Sequence, residues 1–171
     1  MPGRSPHRVR EEFLNPLRKA LSCVTRAYLH HTGGKEPGEV EALTLSQDPL
    51  RLGTRQCGTV QLLLGHQYRL VKRGASWKVT TVKYMYHLLA DEDESELVAW
   101  HWHPVTSPYP HVHVSCGPLG KGAHVPTGRV SVESVLRFLI DDLGVPRLRD
   151  DYRTVLHGSE GPFIEHRGWH A

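Results

Sequence analysis

The chain has 171 residues, of which 39% are apolar and 23% charged, a composition that suits one packed domain and argues against wholesale disorder. Lys and Arg number 21 against 18 Asp and Glu, and the resulting formal charge of +3 is too mild to mark a dedicated polyanion binder. No apolar run approaches the ~18 residues of a membrane helix, and basic residues 1–10 lead into no secretory h-region.

In chain order, a short helix is expected over Arg10–Leu14, and Asn15-Pro16 reads as a second helix start, with Asn as N-cap and Pro at N1. Leu17, Leu21, Val24 and Tyr28 then form one apolar stripe, ended by Thr32-Gly33-Gly34. Val40–Ser46 reads as a strand, 47–58 as loop, and Thr59–Leu64 as a second strand. Gln67–Lys72 and Trp77–Leu89 form a hairpin around Arg73-Gly74-Ala75-Ser76. Glu96–His103 and His111–Cys116 are further strands, separated by a loop from Pro104 to Pro110 that holds three prolines. A Gly/Pro-rich loop over 117–128 leads to Ser131, which caps a helix carrying Val132, Val135, Leu136, Leu139, Ile140 and Leu143 on one face. A short helix is expected to end near Gly158. The reading is a single α+β domain over 1–158 with a tail over 159–171. Its antiparallel sheet has five to six strands, with an N-terminal and a C-terminal helix on one face.

Histidine is the outlying residue, at 13 positions. His101 and His103 share a strand face, as do His111 and His113. Symmetric pairing across the proline loop sets His103 opposite His111 and His101 opposite His113, in one patch of four imidazoles. The same register lines Trp100, Trp102 and Val98 up with Val112 and Val114 on the other face, ready for the amphipathic helix. Extending the sheet puts Val82, Tyr84 and Tyr86 on the apolar side. It puts Lys83, Met85 and His87 on the histidine side, where the later loop would add His124, Thr127 and Arg129. No carboxylate is expected on these rows.

Three chemistries compete for such a patch. Close imidazoles hold unequal pKa values, so one accepts a proton while another donates. Joined by Lys83, Arg129, Lys121, His124 or Thr127 as phosphate contacts, His101, His103, His111 and His113 would equip a metal-free ribonuclease needing no cofactor. Alternatively the same four imidazoles ligate zinc or another divalent transition metal. The third reading is a non-enzymatic binding module with a solvated, histidine-rich face.

Tyr109-Pro110-His111-Val112-His113-Val114 is similar to the motif of the histidine-triad nucleotide hydrolases, but Ser115 stands where their nucleophilic histidine should follow. A second likeness runs from about Tyr84 to Val145. It comprises Tyr84-Met85-Tyr86-His87, the acidic turn, the strand through Trp100, Pro110-His111-Val112-His113 and the amphipathic helix. This stretch resembles the TumE-type toxins of bacterial toxin–antitoxin pairs. The resemblance implies a small α+β toxin that acts on RNA and is neutralised by a co-encoded antitoxin. Three cysteines, an odd and sparse count, argue against a disulfide framework and for a reducing, cytoplasmic setting.

Overall fold

The structure, a computed structural model, describes residues 5–34, 36–115 and 123–166. Helix α1 spans Pro6–Leu21. It starts ten residues before the expected Asn15-Pro16, on the same logic: Ser5 Oγ accepts from the Arg8 N–H, and Pro6 fills the first turn. Pro16 therefore lies inside the helix, where it forfeits one backbone bond. Burial of Val9, Leu14, Ala20 and Leu21 offsets that loss. The helix ends at Leu21 rather than running through Tyr28, which is 64% exposed.

Strands β1 (Leu29–Gly33), β2 (Val40–Leu45) and β3 (Leu50–Gly53) come next. β1 and β3 occupy positions expected to be helix end and loop. Two long strands follow, β4 (Thr59–Arg73) and β5 (Ser76–Ala90), and β4 runs unbroken through Gly65 rather than as two strands. The sheet is completed by β6 (Glu96–His103), β7 (Ser107–Val114) and the two-residue β8 (Val125–Pro126). All eight strands are antiparallel, in the order β1-β2-β4-β5-β6-β7-β8, with β3 sharing the β2 edge of β4. The class is α+β as expected; the strand count is higher.

Helices α2 (Val132–Asp141) and α3 (Tyr152–His166) close the described chain. α3 continues well past Gly158, so residues 159–166 are helix and not tail. Leu156, Ser159 and Glu160 are buried. Glu160 accepts from Ser131 Oγ at 2.6 Å, Ser134 Oγ at 2.7 Å and Arg137 at 2.9 Å, which fastens α3 to the first turns of α2.

The core lies between the helices and one face of the sheet. Val135, Leu136 and Leu139 of α2 pack with Tyr86, Leu88 and Trp102, the apolar row expected from alternation. Among the described residues no helix is long and apolar enough to cross a membrane. Cys23 is a buried free thiol and Cys57 an exposed one, while Cys116 lies outside the described residues.

Candidate functional site

The other face of the sheet carries the histidines. β5 and β6 pair in the anticipated register, Tyr84 with Trp102 and His87 with Ala99. β6 and β7 do not. His101 faces His111 and Ala99 faces His113, a two-residue slip from the symmetric pairing. The turn is short, closed by Thr106 N–H on His103 O, so β7 begins at Ser107. Between the pairs His103↔Ser107 and His101↔His111 the ladder is irregular: Pro108, Tyr109 and Pro110 lie opposite Trp102 alone, an excess of two residues. Proline has no N–H to give a ladder, so the excess collects there. Because the slip is even, every histidine keeps its face. The same parity leaves Trp100 opposite Val112 and Val98 opposite Val114.

β8 then pairs with β7, Val125 opposite Val112, and sets His124 against the cluster. The His124 ring stacks on His111 at 4.3 Å between centroids and on His113 at 4.7 Å. His87 joins from β5, its Nε2 lying 2.8 Å from His101 Nε2. Six imidazoles thus share one patch: His87, His101, His103, His111, His113 and His124. Ligand atoms of His101, His103 and His111 lie within 4.8 Å of one another, and so do those of His111, His113 and His124. Nitrogens bound ~2.0–2.1 Å from a tetrahedral zinc stand about 3.3 Å apart, so each triad needs to close by about 1.5 Å at most.

Contrary to expectation, a carboxylate reaches the patch. Between Leu88↔Val98 and Leu89↔Glu96 the β5–β6 ladder bulges at Leu97. The extra residue reverses parity, so Leu97 and Val98 both pack on the core while Glu96 turns to the histidine side. Glu96 Oε2 is 2.9 Å from His87 Nδ1, and Oε1 is 3.7 Å from His113 Nδ1. Leu97 sits inside the apolar run Leu97-Val98-Ala99-Trp100, where alternation alone does not show which residue bulges.

Hydrogen bonds set the tautomers. The Tyr109 carbonyl can only accept, so His111 donates from Nδ1 at 3.0 Å and keeps a bare lone pair on Nε2. Glu96 Oε2 stands beside His87 Nδ1 as a charge partner, and Thr106 Oγ1 shares a hydrogen bond with His103 Nδ1 in which either atom can donate. His111 Nε2 and His113 Nε2 are buried with no hydrogen-bond partner among the described residues. Burial, reinforced by the neighbouring imidazoles, pushes His101 down to about 3 and lowers His113.

The expected phosphate contacts fare differently. His124 arrives. Lys83 is exposed on the histidine side, opposite Gln67 of β4. Arg129 does not join them: its guanidinium stacks 3.8 Å from the Trp102 ring centroid, on the core side of the sheet. Its neighbour Val130 donates to Tyr84 Oη at 2.9 Å, which carries the segment towards α2. Thr127 bonds through its backbone to Pro110 O. Lys121 lies outside the described residues.

No protein-family model, curated protein or solved structure matches the chain.

Proposed function

We propose that the histidine face is a transition-metal centre, zinc or a similar divalent ion, serving hydrolysis. One observation carries this reading. His111 and His113 hold buried Nε2 atoms without a partner, and on His111 the tautomer leaves that nitrogen as a lone pair. A buried acceptor left unsatisfied costs ~1–3 kcal/mol; a bound cation removes that cost. The oxygens on His103 and His111 Nδ1 stand where outer partners orient metal-ligating imidazoles. His101, His103 and His111, and likewise His111, His113 and His124, would each supply three ligands, one fewer than tetrahedral zinc takes. A metal bound there would lower the pKa of a coordinated water towards neutrality. The free thiols Cys23 and Cys57 support a reducing, cytoplasmic setting for this activity.

The test is elemental analysis after zinc loading and exhaustive dialysis, with the affinity measured by calorimetry. The parent chain retains at least one ion, and chelation lowers its melting temperature. His103→Gln, at a half-buried position, weakens binding more than tenfold with the fold intact by circular dichroism. A parent that retains no stoichiometric ion, with melting indifferent to chelator, overturns the reading.

A second reading is supported by the chain Glu96–His87–His101. Glu96 orients His87, and the 2.8 Å contact lets His87 and His101 share a proton. That is the arrangement of an acid/base pair, suited to metal-free cleavage of an RNA phosphodiester. It is the activity that the TumE-type resemblance implies, with an antitoxin as partner. RNA cleavage undiminished by EDTA and lost in His87→Gln would favour this reading over the first.

A further inference from the structure

The β4–β5 hairpin carries a charge pattern that the site does not use. From Thr59 to Ala90 the sequence holds Arg69, Lys72, Arg73, Lys78 and Lys83, and no Asp or Glu. All five cations are exposed or half-exposed, and none meets a carboxylate among the described residues. The hairpin is therefore +5 within a chain of net +3.

Register places four of the five on one face. Gln67 pairs with Lys83, Arg69 with Thr80, Val71 with Lys78 and Arg73 with Ser76. The bulge that omits Val82 keeps these positions on the side of His87, which pairs with Leu63 in the same row of β4. Each successive level of this face thus presents one cation, alternating between strands: Lys83, Arg69, Lys78, Arg73. Levels two residues apart stand ~6.6 Å apart. The opposite face is occupied, since Tyr68 and Val79 pack on Phe13 and Leu14 of α1. Past Arg69 on β4 and Tyr84 on β5, β2 and β6 no longer pair with the hairpin, leaving a two-stranded ribbon with one covered and one open face.

We infer that the open face of this ribbon binds the phosphodiester backbone of a nucleic acid and leads it towards the histidine cluster. An even ladder of single positive charges, free of carboxylates, matches a polymer with one negative charge per repeat. From the level of His87 to that of Arg73 is ten residues of β4, or about 33 Å, so a bound strand would span several nucleotides. Binding rests on the ribbon alone. That the bound strand is also the substrate rests on the hydrolytic reading above.

The test is fluorescence anisotropy with a labelled 20-nucleotide single-stranded RNA across a salt series, with duplex RNA and phosphatidylserine vesicles in parallel. The parent chain binds RNA with affinity falling steeply with salt. The quadruple variant R69Q/R73Q/K78Q/K83Q loses at least tenfold in affinity. Its salt slope drops by about 3, since each phosphate that a cation neutralises on a single strand adds ~0.7 to the slope. The variant exchanging Arg69 and Arg73 for Lys retains binding, as does R8Q/R18Q on α1. Circular dichroism and melting confirm that each variant is folded. His103→Gln, defective in metal binding, still binds RNA, so failure of the metal reading leaves this result standing. Absence of RNA binding, unchanged affinity in the quadruple variant, or binding to vesicles and not to RNA overturns the inference.

Discussion

At the scale of single residues, the site depends on which imidazole nitrogen carries a proton. Glu96 lies 2.9 Å from His87 and 3.7 Å from His113, so Glu96→Gln removes a negative charge beside the His111, His113 and His124 triad. Loss of an outer partner typically weakens metal affinity ~10–100-fold, and the expected outcome is a calorimetric loss in that range with unchanged stoichiometry. A different residue governs pH dependence on the far side of the sheet. Glu133, 2% exposed in the first turn of α2, has its carboxyl pushed up to about 7 by burial. Glu160 adds to that rise, Arg137 opposes it, and the buried Tyr86 hydroxyl of β5 faces the same group. Unfolded, the carboxyl ionises near 4.5. Between those two values the native state holds a proton that the unfolded state has released, so stability falls as pH rises. The loss is complete above about pH 7 and amounts to ~3 kcal/mol. His66, held down to about 4 by complete burial, works with the opposite sign, its contribution being lost as pH falls from 6.5. Subtracting Glu133→Gln from the parent isolates the Glu133 effect. Urea midpoints should coincide near pH 4 and favour Glu133→Gln by up to ~3 kcal/mol at pH 8. Parallel curves across that range would show that Glu133 is already ionised in the native state.

At the scale of elements, alternation and register carried most of the legible information. The period-two pattern put His87, His101, His103, His111 and His113 on one face and Tyr84, Tyr86 and Trp102 on the other, and both rows stand. The amphipathic helix was equally legible, since its apolar positions repeat without interruption from Val132. Three things were not legible, each for a physical reason. The two-residue slip at Pro108–Pro110 depends on where a turn closes, which strand composition does not encode. The bulge at Leu97 hid Glu96, because simple alternation assigns it to the wrong face. The continuation of α3 depends on partners distant in sequence: Glu160 is helical and buried because Ser131, Ser134 and Arg137 receive it. Element-scale predictions follow from the packing. Leu136→Ala and Leu139→Ala, both at fully buried positions, should each cost ~2–5 kcal/mol. Truncation after Gly158 removes Ser159 and Glu160 and should lower the melting temperature far more than Ile164→Ala, which alters a 43% exposed side chain. A truncated chain that melts like the parent would return this segment to the status of a tail.

At the scale of the whole molecule, one sheet separates two jobs. One face, with three helices upon it, is the core. Among the described residues, the opposite face gathers six imidazoles and the Glu96 carboxylate at one end and, along the hairpin, a cationic ladder that meets no carboxylate. Neither grouping is local in sequence. The cluster draws on β5, β6, β7 and the segment entering β8, and the ladder needs two strands in register. The mild net charge of +3 therefore conceals a polarised surface, in which the hairpin is +5 and the remainder is −2. The central claim is that the histidine face is a metal centre, and X-ray absorption at the zinc edge of the zinc-loaded chain tests it most directly. The expected spectrum shows only nitrogen and oxygen as nearest neighbours, at ~2.0–2.1 Å, with the multiple scattering of at least three imidazoles. Sulfur neighbours near ~2.3 Å, or zinc too weakly held to survive dialysis, would contradict it.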